Sequence, residues 1–359
     1  MANFKLQDFG LRLKQARVRA KLSLEALAQK MDGSVTKQAI SKLEKGQMAP
    51  SSSTLIALAT ALGADINYFF RPITPDFQNL EVSFRKKSCI SAKDIAALKI
   101  DIQDDIERFL EIEEILGKGG KKPYIINNEE TISTASQMEQ LAIKLREKWH
   151  LGFLPILNIQ DTLEVNGIKV IFCKGPIGFD GVSGVVNQDT LIMVLNTEVD
   201  MIERQRFTAL HELAHLLFNK YFDKSLTKNE KEKLCHAFAN EMLVPSEVLR
   251  KIFGEKKRIS LEELIFVQQQ FGISIDAIMH KLKELDIVSE KRYRTFNIRK
   301  NQQPGLKEKI EQSRFEEIKT PRFEAMVYGA LAAELITESK AASLLKVPIE
   351  TVHENLTLV

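Results

Sequence analysis

Arg204-Gln205-Arg206-Phe207-Thr208-Ala209-Leu210-His211-Glu212-Leu213-Ala214-His215-Leu216-Leu217-Phe218 contains neither Gly nor Pro, and it reads as one uninterrupted helix. It carries His-Glu-x-x-His. Residues four apart on a helix lie above one another, so His211 and His215 can aim their imidazoles at one point. Two neutral imidazoles on one turn supply half of a zinc site, and Glu212 beside them is a base within reach of the same point. Phe207, Leu210, Ala214 and Leu217 form an apolar stripe at helical spacing, which predicts a buried helix. Burying two histidines and a glutamate costs free energy unless something satisfies them, and a metal does so. The competing reading, a glutamate between two solvated histidines, does not account for the stripe.

The chain around this helix is 359 residues long, enough for two or three domains. With 44% hydrophobic and 28% charged residues it has the balance of a globular protein, which excludes a disordered or fibrous class. No apolar run approaches the ~20 residues a bilayer span needs, and no signal-peptide stretch follows Met1, so a cytoplasmic location is expected. Cys89, Cys173 and Cys235 are scattered and suggest no disulfide framework. The net charge of +3 is unevenly placed: residues 1–72 hold eleven Lys or Arg against five Asp or Glu. That basic end asks for a polyanion.

Within residues 1–72 the pattern predicts a helix from Phe9 to Ala20 bearing Arg12, Lys14, Arg17 and Arg19. Ser23 can cap a second helix, Leu24 to Met31, and Asp32-Gly33-Ser34 is a turn. Thr36 caps a third, Lys37 to Glu44, stopped at Gly46; a fourth buries Leu55, Leu58, Ala59 and Leu62. Short helices around a tight turn suit a helix-turn-helix. Val35-Thr36-Lys37-Gln38-Ala39-Ile40-Ser41-Lys42-Leu43-Glu44-Lys45-Gly46, followed by Pro50-Ser51 and Leu55-Ile56-Ala57-Leu58-Ala59, resembles the Cro-repressor-like (XRE) family over about residues 9–70. The resemblance implies a five-helix bundle on double-stranded operator DNA, with Thr36, Lys37, Gln38, Ser41 and Lys42 at the DNA surface. Ala39, Ile40 and Leu43 should face inward. The chemistry agrees, since Gln can bond adenine edges bidentately while Lys and hydroxyls reach phosphate or base. A basic protein-docking module is the competing reading.

Residues 73–123 read as a helical connector. Ser91 caps a long helix from Ala92 to about Leu116, apolar at Ile95, Leu98, Ile102, Ile106, Leu110 and Ile115. Such a stripe packs either on a second copy, giving a homodimer, or within the chain. The stretch Ser83-Phe84-Arg85-Lys86-Lys87 is basic, and Gly117 to Pro123 is the clearest linker. Thr134 to His150 is another amphipathic helix, with Met138, Leu141, Ala142, Leu145 and Trp149 inward. A helix from Ile156 to Val165 leads into strands Ile168–Cys173, Gly181–Val186 and Leu191–Leu195, separated by Gly- and Asn-containing turns. Gly181 to Val186 is a candidate edge for an added peptide strand.

A catalytic zinc needs a third protein ligand and an open position. Thr227 with Glu230 forms a capping box opening a helix to about Leu243, on which Glu232, His236, Ala239 and Leu243 share a face. Glu230 and Glu241 should point to solvent, and Cys235 to the core. Phe207 to Leu217, with Glu232-x-x-Cys235-His236-x-Phe238-Ala239-x-Glu241-x-Leu243-x-Pro245, resembles the ImmA/IrrE metallopeptidases over roughly residues 130–290. Phe179-Asp180-Gly181-Val182-Ser183-Gly184 and Leu195-Asn196 look similar to that family too. The resemblance implies a mainly α fold with a small β-sheet (α+β), zincin-like, binding Zn2+ through His211, His215 and Glu232. His236 stands where the family often has Asn or Asp; it could orient a histidine, stabilise the oxyanion or replace Glu232. The implied chemistry is peptide hydrolysis, with Glu212 taking the attacking water's proton and returning it to the leaving amine.

The expected organisation is a DNA-binding domain over 1–72, a connector over 73–123, a metallopeptidase domain over 124–290 and a helical region over 291–359. In the last, Phe323–Ile336, Glu338–Leu345 and Ile349–Leu356 look like a small helix-turn-helix of unremarkable charge, with Thr337 as a cap. Two functions fit. One is a DNA-bound zinc peptidase that cuts a regulatory protein or meets a toxin partner; the other is a non-catalytic XRE repressor or antitoxin whose zinc domain senses a ligand or partner. The intact Glu212 favours the first, because a purely structural zinc has no use for a base.

Overall fold

The computed structural model describes residues 6–71, 73, 91–117, 130–176, 178–186, 189–199, 201–254, 258–317 and 320–356. The basic stretch at 83–87 and most of the 117–123 linker lie outside them. The chain divides into two units: described residues up to 117 with those from 321 onward, and the described residues between.

Side-chain caps set the helices of the first unit. After α1 (Leu6–Arg19), Ser23 accepts from Ala26 N–H at 3.0 Å to start α2 (Leu24–Lys30). Thr36 and Ser51 start α3 (Lys37–Glu44) and α4 (Ser52–Leu62) in the same way. The fifth element of this bundle is a 3₁₀ turn, Ile66–Phe70, capped by Asp65. Phe9, Leu13, Leu27, Ile40, Leu43, Leu58 and Phe69 fill the core. Gly10 lets α1 touch α3, since a Cβ there would lie 2.5 Å from Glu44 O. Ser91 then caps α5 (Ala92–Ile115), which packs on α1 and buries Leu98, Ile102 and Ile106.

Most of the positive charge on α1 is neutralised within the unit. Arg12 pairs with Glu107 at 2.6 Å, Arg17 with Glu44 at 2.6 Å, and Arg19 with Asp101 at 2.9 Å. Three of its four cations are therefore held by carboxylates of the protein itself, two of them by α5.

In the second unit a capping box at Thr134 and Gln137 opens α6 (Ala135–Lys148). Helix α7 (Ile159–Val165) is shorter than the pattern suggested, because Asn158 caps it by accepting from Asp161 N–H at 2.9 Å. Strands β1 (Ile168–Cys173), β2 (Gly181–Val186) and β3 (Thr190–Asn196) form a sheet ordered β1-β3-β2. β1 runs parallel to β3, with Ile168 opposite Leu191; β2 runs antiparallel, with Ser183 opposite Met193. The strand expected at an edge is at the edge. Helix α8 (Ile202–Phe218) lies on β2 and β3, and α9 (Lys228–Leu243) packs on α8 and α6. Leu210, Leu213, Ala214 and Leu217 of α8 join Met193, Leu195 and Phe238 in one core.

Helices α10 (Ser246–Phe253), α11 (Leu261–Phe271), α12 (Ile275–Glu284), α13 (Glu290–Gln302) and α14 (Pro304–Glu311) complete this unit. Glu241 does not point to solvent as expected. It is buried at 3% exposure, pairs with Lys281 at 3.0 Å and accepts from Ser246 N–H at 2.8 Å, tying α9 to α10 and α12. Lys281 is fully buried and also pairs with Glu139. Lys281→Met strands a buried carboxylate, so thermal unfolding should show a loss of about 3–5 kcal/mol. Adding Glu241→Gln should recover much of it.

The last helices, α15 (Arg322–Ala332), α16 (Glu338–Leu345) and α17 (Ile349–Leu356), belong to the first unit. Thr337 caps α16, and Phe323 stacks on Phe109 of α5 with ring centroids 5.9 Å apart. Asp104 of α5 is the electrostatic centre of this unit: Arg71 and Lys346 meet it at 2.8 Å, Arg19 at 3.3 Å and Arg108 at 3.6 Å. Burial alone would raise its pKa, but the surrounding cations, Lys346 foremost, hold it at about 2.

Candidate metal centre and DNA-reading helix

On α8, the i and i+4 positions place His211 Nε2 and His215 Nε2 3.1 Å apart. From α9, Glu232 brings Oε2 to 3.1 Å from His211 Nε2 and Oε1 to 3.7 Å from His215 Nε2. Bonds from zinc to nitrogen or oxygen are about 2.0–2.2 Å long, so donors sharing a tetrahedral ion stand roughly 3.3 Å apart. These three residues fit. They are the one convergent His/Cys/Asp/Glu group among the described residues, their donor atoms all lying within 4.8 Å of one another. Two nitrogens and a carboxylate oxygen leave a fourth position open, the donor set of catalytic zinc. His211 Nδ1 is buried without a hydrogen-bond partner, while His215 Nδ1 faces Cys235 Sγ at 3.5 Å. Cys235 is a core thiol as expected, and burial pushes its pKa up.

Glu212 is turned toward the sheet. Ser183 Oγ of edge strand β2 lies 3.0 Å from Glu212 Oε2 and 3.0 Å from its carbonyl oxygen, donating to one of them at a time. Burial raises the Glu212 pKa, opposed by the charges of His215 and His211. The hydrogen bond from His211 holds the Glu232 carboxyl well below its usual range. Sequence reasoning quoted Ser183 for its surroundings but gave it no role, because the strand–helix contact is tertiary.

The loop before β2 is fixed by buried Asn196. Its Oδ1 accepts from Gly175 N–H at 2.8 Å, and its Nδ2 donates to Phe179 O at 2.7 Å. Arg204 of α8 then pairs with Asp180 at 2.6 Å. Gly181 brings the strand against the helix, since a Cβ there would meet Val194 O at 2.9 Å and Thr208 Cγ2 at 3.1 Å. Two residues of the motif helix missed by sequence reasoning secure its first turns. Buried Arg206 donates to Gly272 O at 3.2 Å, pairs with Glu317 at 2.6 Å and lies 4.0 Å from the Phe315 ring. Buried Glu203 accepts from Gln268 Nε2 at 3.0 Å.

His236 is exposed and outside the convergent group; its ring centroid is 4.9 Å from that of His211 and 5.4 Å from that of Phe207. Phe207, half-buried, stacks on His211 with centroids 6.1 Å apart. On α3, Lys37, Gln38 and Lys42 are exposed together with the cap Thr36, and Ser41 is half-buried. Ile40 and Leu43 point into the core, with Ala39 half-buried. Lys37 pairs at the surface with Glu25 of α2 at 3.2 Å.

Fold and site together define a helix-turn-helix domain fused to a peptidase-like domain that has a candidate His-His-Glu metal triad. The family comparisons make this particular. A family described as helix-turn-helix matches residues 13–69, and one described as IrrE N-terminal-like domain matches residues 163–283. The chain thus joins an XRE-type DNA-binding head to an IrrE/ImmA-type domain. Among solved structures, a Mycobacterium tuberculosis transcriptional regulator is 15% identical, over 49% of this chain and 51% of that one, with a TM-score of 0.31. The chain therefore spans about half the length of that regulator. ComR from S. Thermophilus is 13% identical over 91% of this chain and 99% of its own, with a TM-score of 0.17. ComR from Streptococcus suis is 13% identical over 98% and 94%, with a TM-score of 0.16. No curated protein matched. Among the described residues no helix is long and apolar enough to cross a membrane.

Proposed function

We propose that the chain is a DNA-binding transcription regulator whose second domain is a zinc endopeptidase acting on a regulatory partner protein, such as a repressor or a regulator of a toxin–antitoxin or mobile element. The observation that carries this reading is Glu212: a half-buried residue whose carboxylate is held by Ser183 beside three converging metal donors. His211, His215 and Glu232 would hold the ion, and zinc, when bound, supplies Lewis acidity and lowers the pKa of water. Glu212 accepts a proton from the water that attacks the scissile carbonyl, and delivers it to the departing amine nitrogen. Ser183 keeps the carboxylate aimed. His236, exposed and with its ring centroid 4.9 Å from that of His211, would donate a hydrogen bond toward the carbonyl oxygen. The edge of β2 offers backbone groups to an extended peptide, which would run past Ser183 and the metal donors.

The test of the ligand set is elemental analysis. The purified chain should hold about one zinc, and Glu232→Ala should weaken zinc binding far more than His236→Ala. The reverse order would move the ligand to His236. For the other domain, Gln38→Ala should relax base preference, whereas Lys42→Ala should weaken binding across sequences and lower the salt slope by about one. Band shifts of residue-matched operators at two salt concentrations check this; equal loss of preference in both variants contradicts it.

A further inference from the structure

The positive charge of the chain lies in two stretches. Of the overall +3, residues 1–72 carry a net +6, with eleven Lys or Arg against five Asp or Glu. Residues 290–314 carry a net +5, with eight Lys or Arg against three Asp or Glu, which leaves the remainder at −8. The first stretch holds the helix-turn-helix; the second is α13, α14 and the residues just after them, in the other unit. Neither the metal donors nor α3 account for it. Helix α13 turns Tyr293, Phe296, Asn297 and Lys300 toward the protein, each half-buried, and buries no residue fully. Its other side exposes Lys291, Arg292, Arg294 and Arg299, with Thr295 and Ile298 among them. Glu290 is the one carboxylate of α13, and Arg294 takes it at 3.0 Å. Lys300 is engaged inward by Asp276 and by Glu311 at 3.1 Å. Among the described residues Lys291 and Arg299 meet no carboxylate within ion-pair distance. This face therefore differs from α1, whose arginines are held by carboxylates of their own unit. Nor does the charge serve the helix, because Lys291 and Arg292 stand in its first turn, where the macrodipole favours anions.

We propose that the solvent face of α13 binds the phosphate backbone of double-stranded DNA through Lys291, Arg294 and Arg299. The contact is independent of sequence and comes in addition to the sequence-reading one of α3. From Lys291 to Arg299 is about 12 Å along the helix axis. Duplex DNA carries a phosphate charge about every 1.7 Å of its axis, so a face of this length finds phosphates at any register. The Thr295 hydroxyl is a further donor of the kind that phosphates accept. The proposal rests on the DNA-binding reading of the chain and not on the peptidase reading.

The experiment is fluorescence anisotropy of a labelled random-sequence duplex of about 40 base pairs with the full chain, between about 50 and 200 mM salt. Combining Lys291→Gln, Arg294→Gln and Arg299→Gln should weaken binding at least tenfold at the lower salt and reduce the salt slope by about 2–3. Arg294→Lys with Arg299→Lys, which keeps the charge, should keep the affinity. Lys224→Gln, Lys228→Gln and Lys233→Gln together remove the same charge from exposed lysines elsewhere in this unit and should change little. A poly-glutamate of similar charge should bind at least tenfold more weakly than the duplex. Gln38→Ala with Lys42→Ala tests α3 by itself: loss there, with none in the α13 variant, overturns this proposal and leaves the reading of α3 standing. The proposal is also overturned if the two lysine and arginine sets lose binding equally. Poly-glutamate binding as tight as the duplex assigns the face to an acidic protein and overturns it too.

Discussion

Glu212→Gln is expected to lower peptide hydrolysis by at least about a hundredfold, the usual range for losing a general base being ~10²–10⁴. The substitution is close to isosteric, so the cause would be chemical. An amide has no basic oxygen to take a proton from water, while Ser183 Oγ, now 3.0 Å from the carboxylate, can still hold the side chain. His211, His215 and Glu232 are untouched, so zinc content should match the parent, and α3 with Thr36 and Gln38 keeps its operator affinity. The variant should therefore bind its protein partner without cutting it, which makes it the bait for identifying that partner. Turnover of the recovered partner by parent and variant, followed by mass spectrometry, is the measurement. A variant that still mounts the full transcriptional response would show that proteolysis is dispensable. The non-catalytic reading, an XRE repressor or antitoxin whose zinc domain senses a ligand or partner, would then take its place.

What the sequence disclosed was mostly local. His211 and His215 lie one turn apart, so their convergence follows from helical geometry alone. The caps at Ser23, Thr36, Ser91, Thr227 and Thr337 each act within three residues, and all appear in the structure. Glu232 is on another helix, yet its approach was legible because the same face of α9 carries Ala239 and Leu243 into the core. The failures are tertiary. Glu241 lies off that face and so read as solvated, but its partner Lys281 comes from α12 and no spacing rule links the two. Arg12 and Arg19 were legible only as part of a basic end, because the carboxylates that hold them are on α5, far along the chain. The return of α15–α17 to the first unit has no local signature either: Lys346 reaches Asp104 across the length of the sequence.

That return makes the second large effect an expected loss of stability in Asp104→Asn. The side chain is 2% exposed and meets four cations, so the amide removes the one carboxylate that Arg19, Arg71, Arg108 and Lys346 share and leaves them only their outer partners Asp101, Glu111 and Asp105. Breaking a buried ion pair from one side costs about 3–5 kcal/mol, equivalent to roughly 10 °C in a unit of this size. The pH dependence follows with the same sign. The folded carboxyl titrates at about 2, below its ordinary value of 3.8, so its contribution is complete above about pH 4. It is lost as pH falls from there through 2, and the shift corresponds to about 2 kcal/mol. Asp104→Asn should flatten this part of the acid profile, whereas the half-exposed Asp94, paired with Lys21, should leave stability nearly unchanged when replaced by Asn. Hydrogen exchange along α1 and α5 reads the first unit separately from the metal-site unit. Combining Asp104→Asn with Lys346→Gln should cost less than the sum of the two, because the second change removes one of the stranded charges. Strict additivity, or an acid profile that Asp104→Asn leaves intact, would mean that Asp104 is not the charge on which the DNA-binding bundle, the long helix and the C-terminal helices are joined.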